Sequence, residues 1–273
     1  MLYENLTEGE LLELQKDSYY NPARYISGRI IEYDIKLANI SILTQNGILT
    51  HDQYLYYSSL PKEIREKEIG LMIRKDPSIY TVINNGILEY RDKFLRLNNI
   101  DKDNIVRIAK DAIYINQSLD CKYYKFDNYI EFRQKSISSV FINLLIHNIC
   151  VFVLLNEDNI SIDVKGLGDK YVYHQDYMLN IIGSVVYYIE RSTIQDALNF
   201  LSGIIDDYIH RNLDTGYYRT FDSFSGYTIH INNETFSVFE VDEQYKSYID
   251  INYNLIILRE LWEIVLNLYN RNI

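Results

Sequence analysis

The chain has 273 residues, 47% of them hydrophobic, and a net charge of −11 from 38 acidic and 27 basic side chains. That balance excludes a protein held on nucleic acid by overall positive charge, though not a local basic groove. Three Pro and 11 Gly argue against long disordered linkers, and the length allows one large domain or two small ones.

The 27 Tyr, with abundant Ile and Asn, match an AT-rich coding sequence such as that of a phage, a virus or a low-GC bacterium, and supply amphipathic contact surface. Cys121 and Cys150 lack CxxC spacing and read as apolar fillers in a reduced, cytoplasmic compartment, the host cell for a phage or viral protein. The acidic start MLYENLTEGELLELQ is unlike a signal peptide. The apolar run 140–155 holds Asn143, His147 and Asn148 and is shorter than a bilayer span, so no membrane partner is expected.

In chain order, Thr7 and Glu10 have capping-box spacing before a short helix over 5–16. RIIEYD (29–34) reads as the end of a buried strand, with Asp34 alone among apolar neighbours and a helix starting at Ala38. A buried Asp needs a cation, a metal or backbone N–H groups to offset its desolvation. The plainer reading is that Asp34 caps the following helix. Asn46-Gly47 signals a turn, and 50–59 a helix starting at Thr50 with Tyr54, Tyr56 and Tyr57. Pro61 opens a helix carrying Lys62, Arg65, Lys67, Arg74 and Lys75, a basic concentration that doubles as a solvated face with Glu63, Glu66 and Glu68. Residues 78–97 read as a long helix with a soft spot at Asn84-Asn85-Gly86.

The β runs around 105–109 and 112–115 flank Lys110-Asp111, a hairpin with a second lone carboxylate at its tip. Residues 121–164 are β-rich, with a turn at 156–159. Helices follow at 176–190 and 192–210, short strand-like pieces at 217–241, and a helix at 249–270 with the one Trp, Trp262. P-loop, GxGxxG, GxSxG and HExxH motifs do not occur, and the five His show no metal spacing.

This order resembles the palm of template-dependent polymerases, and the local sequences resemble family B DNA polymerases. In DIKLANISIL (34–43), Asp34, Ser41, Ile42 and Leu43 fall where that family's D-x-x-S-L-Y-P-S-I-I motif has matching residues. Asp111 falls at the second Asp of its D-T-D-S motif. DVKGL (163–167) is similar to the K-G segment before the thumb, and YIDINYNLIILR (248–259) to the thumb's Y-I-x-x-Q-[IL]-x-P-x-x-x-R helix. The departures are Ala109 for the first Asp of D-T-D-S, Lys110 for its Thr, Asn39 for the sugar-selecting Tyr, and no K-x-x-x-N-S-x-Y-G fingers motif.

The resemblance implies an α+β fold: a palm-like antiparallel sheet with packed helices and reduced fingers over 1–120, then a β-rich segment and thumb-like helical region over 121–273. It implies Asp34 and Asp111 as catalytic residues and ligands of Mg²⁺ or Mn²⁺, the two ions about 3.5–4 Å apart in two-metal transfer. It further implies Asn39, Lys62, Arg65 and Lys67 on the nucleotide, and Lys110 and Lys165 on nucleic acid. Primer-template DNA and a protein partner or second polymerase subunit are the implied partners. The function read here is thus a polymerase-derived protein, a palm/thumb fragment or subunit of a DNA polymerase. The alternative is an inert phage or viral interaction module with an acidic, Tyr-rich surface.

Overall fold

The computed structural model describes residues 18–145, 149–156, 159–166, 175–210, 212–213, 228–231, 234–237 and 252–271. The predicted helix over 5–16 and most of the strand-like stretch 217–241 lie outside them. The fold is α+β, as expected, and the strand pairs with a resolved register are all antiparallel. Two compact units are present: one holds residues 1–22 and 27–138, the other 23–26 and 139–273. The chain thus parts at Ser138 and Ser139, inside a strand, whereas the sequence reading divides it after residue 120.

In the first unit the sheet order is β1 (Ser18–Tyr20), β3 (Ile105–Ala109), β4 (Ala112–Ile115), β2 (Tyr25–Ile35) and β6 (Glu131–Asn143), with β5 (Tyr123–Lys125) also on β6. Only part of β2 and of β6 belongs to this unit. Successive strand residues point to opposite faces. In β2, Ile31, Tyr33 and Ile35 therefore enter the core, and Glu32 and Asp34 take the other face. Against the core side lie α1 (Ala38–Gln45) and α4 (Ser78–Leu97), joined through α2 (His51–Ser59) and α3 (Lys62–Lys75).

Local signals explain these elements. Thr50 and Gln53 form a capping box at α2, each side chain accepting from the other's backbone N–H. Asp76 accepts from the Ser78 backbone N–H and hydroxyl as α4 begins. The Asn-Asn-Gly stretch does not interrupt α4; Gly86 instead lets that helix approach α1, where an added Cβ would lie 2.4 Å from Ile42 Cγ2. Phe94 stacks on Phe132 at 4.6 Å and meets Tyr124 edge-on at 5.2 Å, filling the space between α4 and the sheet.

The second unit carries the rest of β6, then β7 (Cys150–Leu155) and β8 (Ile160–Lys165) as an antiparallel run. Its helices are α5 (Gln175–Arg191), α6 (Ile194–His210) and α7 (Asn252–Arg271), and β9 (Thr228–Ile231) pairs with β10 (Glu234–Ser237). Its core joins Val140, Ile142, Val151 and Val153 to Ile182, Val185, Leu201 and Leu261. Residues 23–26 are tied in by polar contacts: Arg24 pairs with Glu260 and, at 3.2 Å, with Glu263, and the Tyr25 hydroxyl donates to Glu190 at 2.7 Å. Cys150 is buried, but Cys121 is exposed, so the apolar-filler reading holds for Cys150 alone.

Candidate functional site

Strand β2 ends in a buried carboxylate because the chain does not enter α1 directly. Leu37 takes a left-handed conformation, φ 52°, between the two elements, and it stands at the N-cap with no side-chain cap bond. Asp34 therefore caps nothing and remains a strand residue, which corrects the capping reading. The β2–β4 register sets Asp34 opposite Ala112, one residue from Asp111. The hairpin tip is left-handed at Lys110, φ 54°, and the buried Arg91 of α4 donates to the Lys110 carbonyl at 3.0 Å. A fixed tip brings Asp111 to Asp34.

Both carboxylates line one pocket of about 550 Å³ in the first unit, with Leu37 and the first residues of α1, Ala38, Asn39 and Ile40. Lys62, Arg65, Glu66 and Ile69 from α3, Lys110 from the hairpin, and Arg133 and Lys135 from β6 also line it. Of the residues singled out from sequence, Asp34, Asp111, Asn39, Lys62, Arg65 and Lys110 come together here. Lys67 is exposed on α3 and is absent from the lining, and Lys62 also reaches Glu66 at 3.7 Å across one helical turn. Lys165 belongs to the second unit, at the end of β8, where its Nζ lies 2.6 Å from Asp163.

Four partners were not legible as site residues in the sequence: Glu32, Arg133, Lys135 and Ser136. Arg133 Nε donates to Asp34 Oδ1 at 3.1 Å, and Lys135 Nζ lies 3.5 Å from Asp34 Oδ2. Lys135 also donates to Glu32 Oε1 at 3.0 Å, and the Ser136 hydroxyl donates to Glu32 Oε2 at 2.6 Å. The available signal was periodicity: Glu32 sits two residues before Asp34, and Arg133 and Lys135 share a face of β6.

The electrostatics follow from this arrangement. Burial raises the Asp111 carboxyl above the ordinary Asp value, and the Asp34 charge adds to it; its own backbone N–H, Lys135 and Lys110 oppose the rise without cancelling it. Burial alone would lower Lys135, but the hydrogen bond and charge of Glu32, with Asp34 behind them, outweigh it and raise the ammonium above its usual value.

The resemblance implies Mg²⁺ or Mn²⁺ on Asp34 and Asp111, and this donor set suits two such ions poorly. Both Asp34 oxygens already face cations, and Ala109 stands where the family has its other Asp. Among the described residues no group of three or more His, Cys, Asp or Glu is arranged to hold a metal ion. Nor, among them, is any helix long and apolar enough to cross a membrane.

A comparison with curated proteins gave no match. The family model that does match is of phage origin, in line with the composition, and its description carries no polymerase activity. It covers residues 10–267, nearly the whole chain, and the protein therefore belongs to the Bacteriophage PBS1 gene 130 protein family.

Proposed function

We propose that the first unit of this phage protein binds a phosphate-bearing ligand, a nucleotide or the end of a primer-template, in the Asp34–Asp111 pocket. One observation carries the reading. Lys62, Arg65, Lys110, Arg133 and Lys135 surround a pocket whose carboxylates are Asp34, Glu66 and Asp111, so the lining is locally basic in a chain of net charge −11. Charge of that sign in a concave site recruits anions. The uncapped first turn of α1 on the same wall adds the positive end of a helix dipole, which favours phosphate.

Two-metal nucleotidyl transfer fits the pocket poorly, because the Asp34 oxygens are already engaged by Arg133 and Lys135. The test is equilibrium binding of fluorescent dATP and of a labelled primer-template to the full chain, with primer extension in Mg²⁺ and Mn²⁺ alongside. The proposal expects binding of at least one ligand and no extension. Extension would restore the polymerase reading, and no binding would remove the pocket as the functional site.

A second reading has its own observation. Helix α2 buries none of its residues and exposes Leu55 and Tyr56, at 53% and 60%, with the Tyr56 ring edge-on to Tyr57. Aromatic surface of this kind suits a protein partner. A ligand-free pocket together with a phage protein that co-purifies with wild type but not with Tyr56→Ser would favour it.

A further inference from the structure

The order of charges through the pocket has a consequence for metal dependence. Glu32 and Asp34 are buried, 3% and 8% exposed, whereas the Arg133 and Lys135 side chains that reach them are 43% and 50% exposed. All four carboxylate oxygens have partners on β6, three of them charge-assisted through Arg133 or Lys135 and one through the Ser136 hydroxyl. Arg133 and Lys135 line the pocket, and Glu32 does not. An entering anion therefore meets Arg133 and Lys135 on the same lining as Asp34, Glu66 and Asp111, with both cations held by the buried carboxylates behind them.

We propose that Arg133 and Lys135 take the place a divalent ion would hold, so that the pocket binds phosphate groups directly and without metal. Glu32 and Asp34 are positioning residues: they hold the guanidinium and the ammonium in place and keep Lys135 charged. Guanidinium is suited to phosphate by its planar set of donors, and ammonium acts as a compact point charge. A buried carboxylate released from its cation is costly, which keeps the pair in register while ligand-free. The inference rests on the pocket being the ligand site.

The experiment is calorimetric titration of the full chain with inorganic tripolyphosphate, once in EDTA and once in Mn²⁺. Wild type is expected to bind in EDTA, and Mn²⁺ is expected to change the affinity less than threefold. Arg133→Ala and the double variant Glu32→Gln/Lys135→Met, which leaves no unpaired buried charge, should each weaken binding in EDTA at least tenfold while keeping the wild-type circular dichroism. Lys135→Arg should restore most of it, which a purely structural role would not require. Binding that appears only with Mn²⁺ would overturn the inference and leave the pocket as the ligand site; variants that bind in EDTA like wild type would overturn the inference and place the ligand away from Arg133 and Lys135. Absence of binding in both conditions would remove the pocket reading itself.

Discussion

Asp34 and Asp111 stand at one pocket because the β2–β4 register sets Asp34 opposite Ala112, and the nearby Asp34 charge adds to the burial that raises the Asp111 carboxyl. An acid whose folded-state value is raised favours the folded state while protonated. Stability from Asp111 is thus present at acid pH and lost as pH rises from the ordinary 3.8 through the raised value. Asp111→Asn is accordingly expected to stabilise the ligand-free chain at pH 7, with the advantage shrinking toward pH 4. Urea denaturation at both pH values checks it; a variant less stable than wild type at pH 7 would show that the carboxylate is favourably held.

Lys135 and Glu32 supply a second prediction. Lys135→Met leaves Glu32 buried with the Ser136 hydroxyl as its remaining donor among the bonds described above. Half-exposure of Lys135 discounts the ion pair, so the cost is expected to be about 1–3 kcal/mol. Adding Glu32→Gln should recover part of that loss in chemical denaturation. A double variant no more stable than Lys135→Met would show that the Glu32 charge is not what the cation offsets.

Arg91 links stability to the site. It is 2% exposed and donates to the Lys110 carbonyl at the hairpin tip. Arg91→Met is expected to cost about 1.5–3 kcal/mol, the range for hydrogen bonds to a charged group. It should also weaken phosphate binding, because Lys110 and Asp111 lose their fixed position. Unchanged binding in the folded variant would separate the tip from the site.

The contact of α1 with α4 is tested by Gly86→Ala. The new methyl would meet Ile42 at overlap distance, and overpacking of this kind costs about 1–3 kcal/mol. Ile42→Ala alone should cost about 2–5 kcal/mol by leaving a cavity. Combined, the two should cost less than their sum, since each relieves the other. Strict additivity in thermal or urea melts would mean that the helices separate rather than share the space.

Much of this arrangement could be read from residue order. The buried end of β2, the Lys110-Asp111 tip and the Thr50 cap depend on near neighbours, and all three are present. Lys67 shows where charge counting fell short of periodicity. Lys62, Arg65, Glu66 and Ile69 follow the i, i+3, i+4, i+7 face of a helix and line the pocket, and Lys67 lies off that face. The left-handed turn at Leu37 was hidden, because nothing local favours that conformation for a leucine. Arg133 and Lys135 were hidden for another reason: their role follows from β6 lying beside β2, a pairing fixed by the tertiary fold.

Locating a bound nucleotide shows whether the first unit's pocket takes a phosphate-bearing ligand. The full chain is irradiated with an azido-dATP photoprobe in EDTA, digested, and the labelled peptides are identified by mass spectrometry. Label is expected on peptides from 34–40, 62–69, 110–112 or 133–135, suppressed by excess tripolyphosphate. Label confined to other peptides, or label that tripolyphosphate leaves unchanged, would contradict it.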